Sequence, residues 1–73
     1  MADEIKISTE TITLGQLLKL ADVIDTGGMA KWFLQNNEVH VNGELENRRG
    51  RKLKHADVVE IKGHGTFIVT GLE

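Results

Sequence analysis

The spacing of hydrophobic residues changes about halfway along this chain. In the first half, apolar side chains recur every three or four positions, which predicts a helix over about 14–24. Thr13 and Gln16 stand three residues apart at its start, as in a capping box. A second helix is predicted from Thr26 to Asn36-Asn37, about two residues after the first. The apolar residues of the two helices are Leu14, Leu17, Leu18, Ala21, Ile24, Ala30, Phe33 and Leu34.

In the second half the period falls to two, which is typical of strands that bury one face. Val39 and Val41 alternate with polar residues and lead into Asn42-Gly43, the strongest short signal for a hairpin turn. A two-residue turn would pair Val41 with Glu44 and leave Leu45 on the opposite face from the valines. Either a longer loop or a bulge is therefore expected here, and the sequence leaves that choice open.

Three further segments complete the predicted fold. Residues 5–7, 58–61 and 66–70 have the alternation or β-branched content of strands. The order of a strand, two helices and then three or four strands predicts an α+β fold. In it, two short helices pack on a small, twisted, mostly antiparallel sheet of four to five strands. Seventy-three residues suffice for one domain with a small core, so residues 1–73 are expected to form a single domain.

Composition argues against several classes of function. The chain has no cysteine, and His40, His55 and His64 lack the spacing of metal ligands. No apolar run approaches the ~20 residues that span a bilayer, and the acidic start lacks the apolar core of an export signal. No nucleophile–base pattern or nucleotide-binding loop is present. We therefore predict a cytoplasmic protein without catalytic activity, metal, cofactor, small-molecule substrate or membrane contact.

Positive charge is concentrated in residues 48–54, which we call the basic run. It holds five of the nine basic residues, so the remainder of a chain of net charge −2 carries −7. Clustered like charges repel one another, which favours a segment that binds an anionic partner over a merely solvated loop. Arginine and lysine both bind phosphate, and Leu53 is predicted to anchor the run in the core. The basic residues are Arg48, Arg49, Arg51, Lys52 and Lys54.

The start of the second helix is another candidate site. Thr26-Gly27-Gly28 would leave backbone N–H groups free for an anion, and Lys31 adds a full charge about one turn later. An ordinary helix start with flexible glycines is the alternative. Trp32 lies partly off the apolar stripe and could stack on a base or pack in or at the edge of the core.

The order of these parts from Thr13 to Ile61 resembles the S-four RNA-binding domain, also called the alpha-L motif. The resemblance rests on the two helices, on Val39-x-Val41-Asn42-Gly43, on the basic stretch and on Asp57-x-Val59. Small stand-alone bacterial proteins of this type are more similar still, through the patterns at 26–31 and 42–53. The resemblance implies RNA binding in the cytoplasm, with structured ribosomal or transfer RNA as the usual partner.

Two departures from the wider family shift the expected contacts. Thr13-Leu14-Gly15 stands where many members have Arg-Leu-Asp, and Thr26-Gly27-Gly28 where many have Ser-Arg-Ser. Two RNA-contacting arginines of the family are therefore missing, which gives more weight to Lys31 and the basic run. The predicted RNA-binding residues are Thr26, Gly27, Gly28, Lys31, Arg48, Arg49, Arg51, Lys52 and Lys54.

Three functions follow from these observations. The leading hypothesis is a non-catalytic protein that recognises structured RNA by shape and phosphate contacts, in ribosome assembly or translation, with ribosomal particles as further partners. The second is a protein–protein adaptor that uses the basic run. The third is a ubiquitin-like sulfur carrier, which would need a C-terminal Gly-Gly, whereas this sequence ends Thr70-Gly71-Leu72-Glu73.

Overall fold

The structure, a computed structural model, describes residues 2–71. Its main layer is a five-stranded sheet, whose strands in spatial order are β1 (Ala2–Lys6), β7 (Gly65–Thr70), β6 (Val58–Ile61), β3 (Val39–Val41) and β4 (Glu44–Leu45). β1 runs parallel to β7, and the other neighbours are antiparallel, which confirms the predicted α+β fold with a mostly antiparallel sheet. Leu72 and Glu73, on which the sulfur-carrier alternative depends, lie outside the described residues.

A second, two-stranded sheet joins the basic run to the first helix. β2 (Thr11–Thr13) pairs antiparallel with β5 (Lys52–Lys54), and Ile12 lies opposite Leu53. Leu53 is fully buried, which confirms its predicted role as a core anchor. Both strands have three residues, too few for their alternation to be recognised in the sequence.

The first helix begins where the capping box predicts. α1 spans Leu14–Leu20; the Thr13 hydroxyl accepts from the Gln16 N–H at 3.2 Å, and the Gln16 side chain accepts from the Thr13 N–H at 2.9 Å. The predicted end near residue 24 was wrong. Asp22 adopts a left-handed φ of 61°, and the Val23 N–H donates to the Leu18 carbonyl at 3.0 Å, as in a Schellman motif.

The second helix begins later than predicted. Gly27–Met29 form one turn of 3₁₀ helix, and α2 spans Ala30–Asn36. The Thr26 side chain forms no capping hydrogen bond, although its carbonyl accepts from the Met29 N–H at 3.1 Å. Residues 21–29 separate α1 from α2, because α1 ends early and the glycines belong to a 3₁₀ turn and not to the α-helix.

The end of α2 was predicted correctly. The Asn36 side-chain amide donates to the Trp32 carbonyl at 2.8 Å, and that of Asn37 donates to the Phe33 carbonyl at 3.0 Å. These bonds hold both asparagine side chains against the last turn of the helix. Phe33 and Leu34 are buried and join α2 to the core. That core lies between the helices and the inner face of the sheet.

The hairpin turn contains two residues. Asn42 and Gly43 have φ of 51° and 86°, and Val41 pairs directly with Glu44. The expected longer loop or bulge was therefore wrong. Leu45 instead lies on the exposed face of the sheet, with 66% of its surface exposed. The Asn42 side chain also accepts from the Val58 N–H at 2.9 Å, which ties the turn to the neighbouring strand.

We expect Gly43→Val to destabilise the protein by ~1 kcal/mol or more, because a φ of 86° is unfavourable for a β-branched residue. No atom lies within 4 Å of the position a Cβ would occupy, so the cost comes from the backbone. Urea unfolding measures the effect. Gly50→Val, at a glycine with equally open space but no left-handed φ, is the control. A Gly43→Val protein of unchanged stability that no longer binds its ligand would instead make Gly43 a contact residue.

Candidate functional site

A surface groove of about 400 Å³ lies where α1, the 3₁₀ turn and the basic run meet. Gly15, Gly27 and Ala30 contribute little side-chain bulk to its lining, whereas Lys19 and Arg49 contribute positive charge. Small residues allow an extended ligand to approach the protein backbone, and the two cations favour an anionic one. The lining residues are Thr13, Gly15, Gln16, Lys19, Gly27, Ala30, Arg49 and Gly50.

Gly15 is the point at which the three parts of the groove come together. Its N–H donates to the Arg49 carbonyl at 2.9 Å, and the Leu14 N–H donates to the Arg51 carbonyl at 2.8 Å. A Cβ at Gly15 would lie 3.3 Å from the Ala30 Cβ and 3.4 Å from the Arg49 carbonyl oxygen. The missing side chain therefore permits this close approach. The first N–H groups of α1 are also occupied by the basic run, so any attraction for anions depends on the nearby cations.

The cations of the basic run differ in their partners. Glu46 is buried, with 6% of its surface exposed, and accepts from Arg48 Nε at 2.9 Å and Nη2 at 3.1 Å. It also accepts from Arg51 Nη1 at 2.9 Å and from the Arg48 backbone N–H at 3.1 Å. Hydrogen bonds from Arg48, and to a lesser degree from Arg51, lower the pKa of Glu46 from 4.5 to about 2, against the opposing effect of burial. Arg48 and Arg51 are thus both engaged with a carboxylate inside the protein.

Lys54 lies close to a second buried carboxylate. Its Nζ is 3.9 Å from Asp57, and its backbone N–H donates to the same carboxylate at 2.8 Å. Asp57 also accepts from the Asn42 side chain at 3.1 Å, which links the Asn42-Gly43 turn to the end of β5. The Lys54 side chain is 74% exposed, so its ion pair contributes little to stability.

Four cations near the groove form no ion pair or side-chain hydrogen bond with residues 2–71. Arg49 and Lys19 line the groove. Lys31 is exposed on α2 directly after the groove residue Ala30, and Lys52 is exposed on β5. Their charges are available to a ligand, unlike those held by Glu46.

The structure brings together only part of the predicted site. Of the nine predicted residues, Gly27 and Arg49 line the groove, and Thr26 and Gly28 are exposed beside Gly27. The contact roles of all nine residues stay predictions. Sequence reasoning missed six lining residues, which are Thr13, Gly15, Gln16, Lys19, Ala30 and Gly50. A signal for two of them was present, since Gln16 and Lys19 are the polar positions between the apolar residues of α1.

Trp32 and the histidines, the other candidates from the sequence, do not form a second binding site or a metal site in the part of the chain that the structure describes. Trp32 is 60% exposed, so it does not belong to the core. Among residues 2–71 no group of three or more histidine, aspartate or glutamate side chains could hold a metal ion. His64 instead contacts Phe33 edge to face, with ring centroids 5.5 Å apart. None of the helices in this range has the length and apolarity needed to cross a membrane.

We expect the protein to lose stability in acid because of Glu46. Its pKa of about 2 in the folded state lies below the 4.5 of the free group, so its contribution is complete above pH 4.5 and is lost as the pH falls towards 2. A lowering of this size corresponds to about 3 kcal/mol at most. Because the Arg48 side chain is 73% exposed, solvent screens its attraction to Glu46, and the expected contribution to the unfolding free energy is about 1 kcal/mol.

Urea unfolding across this pH range measures the contribution of Glu46. The difference in unfolding free energy between the wild type and Glu46→Gln should be largest above pH 4.5 and should shrink towards pH 2. A difference that does not change with pH would exclude the carboxylate as its source.

Comparison with known proteins places these features in a family. The S4 domain family matches residues 5–70, a range that includes both helices, the groove and the basic run. A protein of Bacillus subtilis (strain 168) named "Probable ribosome maturation protein RlbA" is 68% identical over 69 residues. That alignment covers 94% of this chain and 97% of the relative. Both similarities therefore extend over nearly all of the described chain.

Proposed function

The chain belongs to the S4 domain family, and we propose on that basis that it binds structured RNA without catalysing a reaction. The observation that carries the proposal is the groove, whose lining combines the small residues Gly15, Gly27 and Ala30 with the cations Lys19 and Arg49. Structured RNA is recognised by shape and by contacts to its sugar–phosphate backbone. A groove with small lining residues and flanking cations suits such a ligand.

We propose ribosomal RNA, free or within an assembling ribosomal particle, as the ligand. The relative named for ribosome maturation supports this choice over transfer RNA. The protein would then act in the cytoplasm during ribosome assembly, with residues 1–73 as one RNA-binding unit. The proposed function needs no cofactor or metal, because the RNA is bound and released unchanged.

The distribution of charge supports a single binding face. The five cations of the basic run are offset by the buried carboxylates of Glu46 and Asp57, which leaves three positive charges there on a chain of net charge −2. The acidic remainder repels RNA. A positive face on a negative body orients an anionic partner during encounter.

Salt dependence tests the proposal directly. If the four cations near the groove that form no ion pair with residues 2–71, Lys19, Lys31, Arg49 and Lys52, each contact one phosphate, log affinity should fall with log salt with a slope of roughly −3. Filter binding of purified bacterial ribosomal RNA over a range of salt concentrations gives this slope. The basic run together with Lys31 would by sequence allow four to six phosphate contacts and a slope of roughly −3 to −5, and the pairing of Arg48 and Arg51 with Glu46 favours the smaller number of contacts.

Two comparisons separate RNA binding from its alternatives. Transfer RNA and duplex DNA, tested at equal phosphate concentration, should bind more weakly than ribosomal RNA. A slope near zero, or equal binding of all three nucleic acids, would contradict the proposal. Salt-sensitive capture of an acidic protein from an RNA-depleted lysate, together with no RNA binding, would favour the adaptor hypothesis.

A further inference from the structure

We propose that Glu46 is a positioning residue for RNA binding, which holds Arg48 and Arg51 so that Arg49 between them faces the groove. This inference rests on the proposed function and deepens it. It divides the basic run into arginines that shape the binding loop and cations that touch the RNA. The sequence by itself gives all five cations the same weight.

Residues 48–51 form a tight turn, and the Glu46 carboxylate binds the side chains at both of its ends. The Arg51 N–H donates to the Arg48 carbonyl at 3.2 Å, so Arg49 and Gly50 occupy the two central positions of the turn. Both ends of the turn are bound to the Glu46 carboxylate, Arg48 through Nε and Nη2 and Arg51 through Nη1. Arg49 and Gly50 line the groove. The carboxylate thus determines the shape of the segment whose tip faces the ligand.

The backbone of the turn is held at the same time from the other side. The carbonyls of Arg49 and Arg51 accept from the N–H groups of Gly15 and Leu14, at 2.9 and 2.8 Å. With its backbone and both ends fixed, the turn loses little conformational freedom when RNA binds. Preorganisation of this kind increases affinity because less ordering has to accompany association.

Charge and positioning predict opposite results for one substitution. Glu46→Gln makes the net charge more positive by one and releases two arginines, so a contribution through charge alone would strengthen RNA binding. The positioning role instead predicts weaker binding, by roughly two- to tenfold, which corresponds to the ordering of one or two side chains. The sign of the change distinguishes the two explanations.

Glu44→Gln provides the matched control. Glu44 is exposed on β4 close to Glu46 in the sequence, and its side chain forms no ion pair or hydrogen bond with residues 2–71. The substitution makes the same change in charge without touching the turn. We expect Glu44→Gln to bind ribosomal RNA as tightly as the wild type or more tightly.

A double-mutant cycle shows whether Glu46 acts through Arg49. Filter binding of purified bacterial ribosomal RNA would compare the wild type, Glu46→Gln, Arg49→Gln and the double variant, at a temperature where circular dichroism shows all four folded. If Glu46 positions Arg49, Glu46→Gln should have little effect once Arg49 is removed. A general loss of stability would weaken binding to the same extent in both backgrounds.

A second pair of variants keeps the test informative if Glu46→Gln does not fold. Arg48→Lys retains the charge but loses the bidentate contact with Glu46, and should weaken binding. Arg49→Lys retains a charge that can reach a phosphate and should bind nearly as tightly as the wild type. The reverse order of these two affinities would overturn the inference. So would a Glu46→Gln protein that binds as tightly as Glu44→Gln, or additive effects in the cycle. Failure of the wild type to bind RNA would instead refute the proposed function on which the inference rests.

Discussion

Arg49→Glu is expected to weaken binding of ribosomal RNA about tenfold or more, through the loss of a charge-assisted contact and the addition of a repulsive charge. Arg49 lines the groove and has no ion-pair partner among residues 2–71. Its side chain is exposed, so the reversal should leave the unfolding free energy nearly unchanged. Lys31→Glu reverses another cation that has no ion-pair partner in the described part of the chain, and it should act in the same direction. Filter binding at low salt measures both effects.

Charge reversals outside the groove are the controls for this experiment. Lys6 is exposed on β1, and Lys62 forms an exposed ion pair with Glu38 at 3.2 Å. Lys6→Glu and Lys62→Glu should change RNA affinity little. Amide chemical shifts on addition of ribosomal RNA should move around 27–31 and 48–54. If they move around Lys6 and Lys62 instead, the binding face has been assigned to the wrong side of the molecule.

Gly15→Val should destabilise the protein by about 2 kcal/mol, because two further methyl groups would be forced into a closely packed junction. A single Cβ there already lies 3.3 Å from the Ala30 Cβ and 3.4 Å from the Arg49 carbonyl oxygen. The carbonyl cannot move away without loss of its hydrogen bond from the Gly15 N–H. Displacement of Arg49 should also reduce RNA affinity under conditions in which the variant remains folded.

Gly15→Ala is the matched comparison. Alanine gains up to ~1 kcal/mol over glycine in a helix, and this offsets the cost of a contact that requires shifts of only a few tenths of an ångström. We therefore expect Gly15→Ala to have nearly wild-type stability and RNA affinity. Urea unfolding of both variants tests the argument. A Gly15→Val protein as stable as Gly15→Ala would show that the junction is less tightly packed than these distances indicate.

Local signals in the sequence were sufficient to predict most of the fold. The capping box at Thr13 and Gln16 and the Asn42-Gly43 turn correctly placed the start of α1 and the hairpin. The end of α1 was missed because the left-handed residue is Asp22 and not the glycine that usually ends a helix. The predicted longer loop or bulge was wrong because Leu45 tolerates the exposed face that the two-residue register gives it.

The positive charge of the site could be predicted, but the ion pairs within it and the residues that line the groove could not. The basic run was evident from composition, whereas its pairing with Glu46 depends on a segment without regular periodicity, folded by tertiary contacts. The same limit applies to Lys19. It belongs to the groove only because the 3₁₀ turn and the basic run pack beside α1, which involves residues distant in the sequence.

The parallel pairing of β1 with β7 has a consequence for the order of folding. Ala2 lies opposite Thr66 and Lys6 opposite Thr70, so this pairing closes a loop of nearly the whole described chain. Such long-range closure is entropically costly and slows folding. During synthesis β1 leaves the ribosome first yet cannot pair until β7 has followed. The groove and the turn that carries Arg49 are lined by residues between Thr13 and Arg51, so the binding face includes no residue of the two strands whose pairing closes this long loop.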